Sequence, residues 1–173
     1  FGTVWNSGPY TVSADVYHTK LDGAYSALPA DAAGNVGYVL SGTVVNQGIE
    51  AEANIALGSG FSLYANATVG SLKYANGQYV AGAPKDTQTL ALNYQRNHWA
   101  INWSINRVGT MYNDGKDAKS VTQHEWFKID PVLISNLFVN YTFAQPMAFV
   151  KKAKLQFGVN NLFNRHDIVG IAS

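Results

Sequence analysis

Phe61-Ser62-Leu63-Tyr64-Ala65-Asn66-Ala67-Thr68-Val69-Gly70 decides how this chain folds. Phe61, Leu63, Ala65, Ala67 and Val69 alternate with Ser62, Tyr64, Asn66, Thr68 and Gly70, and a period of two sends apolar and polar side chains to opposite faces of a strand. The same alternation sets Trp99, Ile101, Trp103 and Ile105 against Ala100, Asn102, Ser104 and Asn106, and Tyr10, Val12, Ala14 and Val16 against Thr11, Ser13, Asp15 and Tyr17. Leu133, Leu137, Val139, Tyr141 and Phe143 interleave with Asn136, Asn140 and Thr142. From Thr43 to Leu57, one face holds Val45, Ile49, Ala51, Ala53, Ile55 and Leu57; the other holds Asn46, Gly48, Glu50, Glu52 and Asn54. Helical spacing fits none of these segments as well.

The pattern predicts an all-β antiparallel meander of about eight long strands, near residues 1–5, 10–19, 43–57, 61–73, 87–96, 99–110, 129–143 and 153–163. Tight turns at Asn6-Ser7-Gly8-Pro9, Gly58-Ser59-Gly60 and Asn97-His98 use residues that tolerate or fix the required φ. Long connections at about 20–41, 74–85 and 111–128 alternate with them, so one end of the sheet is plain and the other elaborated. Strands of ten or more residues exceed the usual five or six and match the ~9–11 that a tilted strand needs to cross a bilayer.

Composition agrees with this reading. Of 173 residues, 47% are hydrophobic, 13% aromatic and only 13% charged, about half the charged share of an average soluble domain. That composition excludes disorder, and no apolar run approaches the ~18 residues of a spanning helix. The absence of cysteine excludes a disulfide scaffold and a zinc-thiolate site. A net charge of +1 gives no field that argues for nucleic acid. Trp5, Tyr10, Phe61, Tyr94, Trp99, Tyr141 and Phe143 fall beside the short turns, whereas Tyr17, Tyr74, Tyr112, Trp126, Phe127 and Phe163 fall toward the long loops. Two aromatic belts around an aliphatic band are the interfacial anchors of a membrane barrel. Trp103 and Phe157 lie mid-strand, where a soluble β-sandwich would place its core aromatics.

A sheet in lipid must close on itself, and its polar face then lines a lumen that holds water or meets a polar plug. Asp15, Glu50 and Glu52 are the charged members of that lumen-facing set. Glu50 and Glu52 stand about 6.5–7 Å apart along their strand. No second hydrolytic feature accompanies them, and the expectation is solvated carboxylates linked to basic groups.

Three stretches then carry a resemblance. Leu155-Gln156-Phe157-Gly158-Val159-Asn160-Asn161-Leu162-Phe163-Asn164-Arg165 resembles the V-x-N-L-F-(D/N)-(K/R) segment near the C-terminus of TonB-dependent outer-membrane receptors. Asn46-Gln47-Gly48-Ile49-Glu50-Ala51-Glu52, followed by Leu63 to Thr68, is similar to that family's G-(I/V)-E-x-E and L-x-A-N-A-T strands. Ala81-Gly82-Ala83-Pro84-Lys85 resembles its G-x-P-K strand start, where Pro suits the first position.

The resemblance implies a bacterial outer-membrane barrel of about 22 strands with a plugged lumen. Residues 1–173 would be the C-terminal portion of that barrel, without the plug domain and the last strand. It implies a transport receptor, not an enzyme, that imports a scarce solute with TonB-supplied energy; an iron–siderophore complex is the family's default substrate. Partners would be outer-membrane lipid, the small-molecule ligand, and TonB through the plug. A complete small outer-membrane barrel, structural or enzymatic, is the alternative that strand number alone permits.

With short turns facing the periplasm, ligand capture falls to the extracellular loops. Candidates there are Tyr25, Tyr74, Tyr79, Tyr112, His124 and Trp126, with Tyr38, Asn76 and Asn113 beside them. Aromatic and amide groups suit an iron chelate or a sugar. No catalytic residue, metal site or cofactor is expected. His18, His98, His124 and His166 show no i, i+4 pairing, and Asp114-Gly115-Lys116-Asp117 lacks the remaining calcium-loop ligands. His166-Asp167 has no serine placed with it, and Lys151, Lys152 and Lys154 suit headgroups or solvent beside a short turn.

Overall fold

The computed structural model describes residues 1–27, 31, 33–75, 77, 79–116, 124–147 and 150–166, with backbone alone at 24–27, 39, 41, 113–116, 124–127 and 145–147. Ten strands follow one another: β1 (Gly2–Ser7), β2 (Tyr10–Ala27), β3 (Tyr38–Gly58), β4 (Phe61–Tyr74), β5 (Asp86–Arg96), β6 (Trp99–Val108), β7 (Met111–Lys116), β8 (His124–Ile129), β9 (Val132–Met147) and β10 (Val150–Val159). Eight of them form one antiparallel sheet in the order β1-β2-β3-β4-β5-β6-β9-β10, and β7 pairs with β8 as a separate ribbon. The expected meander of eight long strands is present.

Register converts the alternation into two continuous surfaces. One row runs Trp5–Val12–Ala53–Ala65–Leu90–Ile105–Ser135 across seven strands; the next runs Val4–Ser13–Glu52–Asn66–Thr89–Asn106–Ile134 on the opposite face. A one-residue slip in any strand would carry its apolar set to the polar side. The first face is called outward below and the second inward.

Among the described residues, only Ala91, Gly109, Met111, Ile129, Val132 and Ser135 are buried. Val16, Ile49, Val69, Leu155 and Phe157 stand more than half exposed on the outward face. A single-layer sheet with its aliphatic side uncovered is not a β-sandwich, which would pack that side against a second sheet. Phe61 to Val69 spans about 26 Å along β4 at ~3.3 Å per residue, or about 20 Å of height at a tilt near 40°. That is close to the hydrocarbon band of an outer-membrane barrel. Among the described residues β1 and β10 are unpaired edges, so these eight strands are a sector of a larger barrel wall and not a closed small barrel.

Several boundaries differ from the expectation. The connection at 20–41 is largely strand, because β2 and β3 stay paired out to Ala27–Tyr38 through bulges between Leu21 and Tyr25. Gly23 and Gly42, at φ 77° and 89°, absorb those bulges and hide the alternation from a period-two reading. The connection at 111–128 holds the β7–β8 ribbon, whose Asn-Asp-Gly-Lys composition reads as loop. Strand 153–163 ends at Val159, since Asn161 turns the chain at φ 52°.

The aromatic belt beside the short turns is formed by contact. Phe61 and Tyr94 lie 4.7 Å apart, Trp99 and Tyr141 4.7 Å, and Tyr141 and Phe143 4.6 Å between ring centroids. The belt at the other end is thinner than expected. Tyr17 belongs to the inward face, opposite Gly48, and so does Tyr74, opposite Val44. Mid-strand Trp103 is outward and donates its indole N–H to Ser135 Oγ at 3.0 Å, which satisfies a polar group that lipid could not.

Candidate functional site

The inward face is a hydrogen-bonded polar wall. Asn102 donates to Asn93 at 2.7 Å, Thr89 to Asn106 at 3.1 Å, and Gln156 to Asn140 at 2.9 Å, each pair crossing between neighbouring strands. Glu52 accepts from Asn54 at 3.2 Å and from the Tyr64 hydroxyl at 3.2 Å. Asp15 and Glu50 are direct cross-strand partners, and like charges placed opposite repel. All three carboxylates share this face. Their expected basic partners are not found: among the described residues no Lys or Arg is ion-paired with Asp15, Glu50 or Glu52. Glu52 is held instead by neutral donors.

At the opposite end from the short turns, the chain assembles an aromatic and basic cluster. The segment after β4 folds back so that Tyr79 bridges Lys73, and Gly82 N–H donates to the Tyr112 carbonyl at 2.8 Å. Tyr79 and Tyr112 stack at 4.8 Å and 16°. Lys85 Nζ lies 5.0 Å from the first ring and 4.9 Å from the second, and Lys73 Nζ 4.8 Å from Tyr79. Hydrogen bonding to Tyr79 pushes the Lys85 ammonium above its ordinary range, against desolvation and with help from Tyr112. Lys128, the cross-strand partner of Tyr112, pairs with Asp130 at 2.9 Å, and that contact raises its pKa too.

Of the expected ligand-binding residues, the structure brings Tyr79 and Tyr112 together. Tyr74 is half-buried one position after Lys73, and Tyr38 is exposed at the start of β3, opposite Ala27. Tyr25, His124, Trp126 and Asn113 occupy strand positions opposite Leu40, Lys116, Asp114 and Phe127, but their side chains lie outside the described residues, as does Asn76 entirely. The lysines were missed because they are scattered over 55 positions of sequence; the signal within reach was Tyr79-Val80-Ala81-Gly82-Ala83-Pro84-Lys85, a Gly-Pro turn bracketed by an aromatic and a cation.

The stretch Asn160 to Arg165 proves to be a locked turn. Asn161 Oδ1 accepts from Arg165 N–H at 2.9 Å while its Nδ2 donates to the Arg165 carbonyl at 2.8 Å. Asn161 N–H donates to Asn136 Oδ1 at 3.0 Å, and Leu162 N–H to the Ser135 carbonyl at 2.7 Å. The turn therefore closes β10 onto β9, which is the physical content of the motif.

A family model described as "TonB dependent receptor-like, beta-barrel" matches residues 1–162. The chain belongs to this family. The TonB-dependent receptor barrel accounts for the apolar outward band, the polar lumen and the open edges together, and the chain lies in the outer membrane. Its fold is similar to the pyoverdine outer membrane receptor FpvA of Pseudomonas aeruginosa PAO1, at 17% identity and TM-score 0.70, over 98% of this chain and 25% of that one. The FrpB iron transporter of Neisseria meningitidis gives 17% identity and TM-score 0.68, over 95% of this chain and 26% of that one. The ferric-catecholate import receptor Fiu of E. coli K12 gives 17% and 0.65, over 97% and 23%. The chain thus spans about a quarter of the length of these structures. No curated protein matches it.

Proposed function

We propose that this chain is the C-terminal barrel sector of a receptor that captures a scarce solute outside the cell and admits it when TonB acts on a plug domain. An iron–siderophore complex is the solute class. The family membership carries the reading, and the names of the similar structures, a pyoverdine receptor, an iron transporter and a ferric-catecholate import receptor, support the substrate. The chain's own residues support a wall rather than a reaction centre, because among the described residues its polar face is a ladder of amide and hydroxyl pairs beside the acidic patch of Asp15, Glu50 and Glu52. A plug would rest against that ladder, and its cations would face Asp15, Glu50 and Glu52. Ligand would first meet the long connections, where Tyr25, Tyr74, Tyr79, Tyr112, His124 and Trp126 are the residues proposed for contact.

The test is radio-iron uptake from a panel of ferric chelates by cells carrying the whole receptor, with and without TonB. Uptake of one chelate that stops when TonB is removed is the expected result. Uptake that persists without TonB, or no iron uptake from any chelate, overturns the reading.

A further inference from the structure

A groove of about 470 Å³ crosses the outward face beside the short turns, lined by Trp99, Val139, Tyr141, Phe143, Leu155 and Phe157. Trp99, Tyr141 and Leu155 form one cross-strand row, and Val139 and Phe157 lie in the next. Leu155 and Phe157 are more than 60% exposed, and in an outer-membrane wall this side meets acyl chains. Two cations flank the groove on the same face. Arg96 is the cross-strand partner of Trp99. Lys151 stands two residues before Ala153, the partner of Phe143, so alternation turns it outward too. Lys152 and Lys154, opposite Ala144 and Thr142, face the lumen instead.

Arg96 and Lys151 also stand at one depth. Lys151 is four residues along β10 from Leu155, which shares the row of Arg96, or about 13 Å at ~3.3 Å per residue. Three strand spacings of ~4.8 Å separate β5 from β10, about 14 Å in all. The line joining the cations therefore crosses the rows at about 42°, within the tilt range of outer-membrane barrel strands. The hairpin ends step in the same sense, from Phe61–Tyr94 to Arg96–Trp99. That line runs parallel to the membrane, just outside the aromatic belt, at headgroup level.

We propose that Arg96 and Lys151 bind the phosphate of an anionic phospholipid in the leaflet at the short-turn end, with an acyl chain of that lipid in the groove between them. Nothing in this part of the chain cancels their charge. No Asp or Glu occurs from 87 to 113 or from 131 to 166, the stretches that hold β6, β9, β10 and all of β5 after its first residue. Among the described residues neither cation is ion-paired, and Asp15, Glu50 and Glu52 lie on the lumen face of β2 and β3. The two backbone positions are about 20 Å apart on the sheet, and both side chains are long enough to snorkel toward one phosphate between them. Charge draws the headgroup to this level, and the apolar groove receives the chain. The site depends on placement in the outer membrane and not on the transported solute, so a failure to import iron leaves it standing.

The experiment is native mass spectrometry of the whole receptor in detergent, titrated with phosphatidylglycerol and with phosphatidylcholine of the same acyl chains. A heat-modifiable band confirms that each variant is a closed barrel. In R96Q/K151Q, affinity for phosphatidylglycerol is expected to fall about fivefold per residue, equivalent to ~1 kcal/mol for each basic residue near a charged surface. K152Q/K154Q removes the same charge from the lumen face and is expected to bind as wild type does. Phosphatidylcholine is expected to bind wild type more weakly than phosphatidylglycerol. Should R96Q/K151Q fail to close, K151Q alone carries the expectation of about fivefold. Four results overturn the proposal: wild-type affinity in R96Q/K151Q, an equal loss in K152Q/K154Q, equal binding of the two lipids, or displacement by equimolar glycerol phosphate, which has no acyl chain.

Discussion

The hydroxyl of Tyr17 occupies the space that a side chain on Gly48 would need: a Cβ added at Gly48 would stand 2.6 Å from that oxygen. The two residues are cross-strand partners, and Gly70 lies beyond Gly48 on the next strand. The phenol therefore lies across two adjacent glycines on the lumen face.

Gly48→Ala is expected to destabilise the barrel by about 1–3 kcal/mol, the usual cost of overpacking, as read from urea unfolding of the whole receptor in lipid. The added methyl meets the Val69 carbonyl at 2.6 Å as well as the tyrosine. Tyr17→Ala in the same chain is therefore expected to recover only part of the loss. Full recovery would show that the backbone, unlike the phenol, can yield.

Ser135 is the acceptor for the Trp103 indole N–H on the outward face. Ser135→Ala should cost about 1–3 kcal/mol by leaving a donor unpaired where no water reaches. Adding Trp103→Phe should return most of it. A double variant no more stable than the single one would mean that the bond is not what Ser135 contributes.

Asn161 does two things: it adopts φ 52° and it brackets the backbone of Arg165. Asn161→Gly keeps the first and loses the second, whereas Asn161→Ala loses both. Proteolysis after β10 should rank wild type slowest, the glycine variant intermediate and the alanine variant fastest, the last two separated by the ~1–2 kcal/mol of a left-handed non-glycine residue. Equal rates for the two variants would remove the backbone argument.

Asp31 lies outside the membrane-spanning strands and closes a turn, accepting from Asn35 Nδ2 at 3.0 Å, Asn35 N–H at 2.8 Å and Ala33 N–H at 2.9 Å. The Asn35 side-chain bond, first, holds its carboxyl below the ordinary 3.8. A lowered folded-state pKa means that the turn is stabilised at pH values above the ordinary one and loses that stabilisation as pH falls through the folded-state value. In NMR, the Asn35 amide shift should titrate with a midpoint below 3.8 and become flat in Asp31→Asn. A midpoint at or above 3.8 would contradict the assignment.

The proposal that this chain is one sector of a larger barrel is checked on a gel. Protein from outer-membrane fractions should run several times heavier than 18.7 kDa and shift on boiling. A heat-modifiable product near that mass would instead mean closure by eight strands.

Period two was enough to read the strands, their faces and the membrane, because alternation is a local property that each strand carries alone. Asp15, Glu50 and Glu52 fall on one face, since register preserves parity from strand to strand. The motif at Asn160 to Arg165 was legible as a family signature, yet its role as a clamp between Asn161, Asn136 and Arg165 needed coordinates. Where bulges interrupt parity, at Gly23, and where turn-forming residues compose the strand, in β7, residues on strands became loops in the reading. The gathering of Lys73, Tyr79, Lys85, Tyr112 and Lys128 into one cluster was decided by tertiary structure alone. A bulge reverses the direction of every side chain that follows it, and no periodicity within one strand reports which face its neighbour's loop will cover.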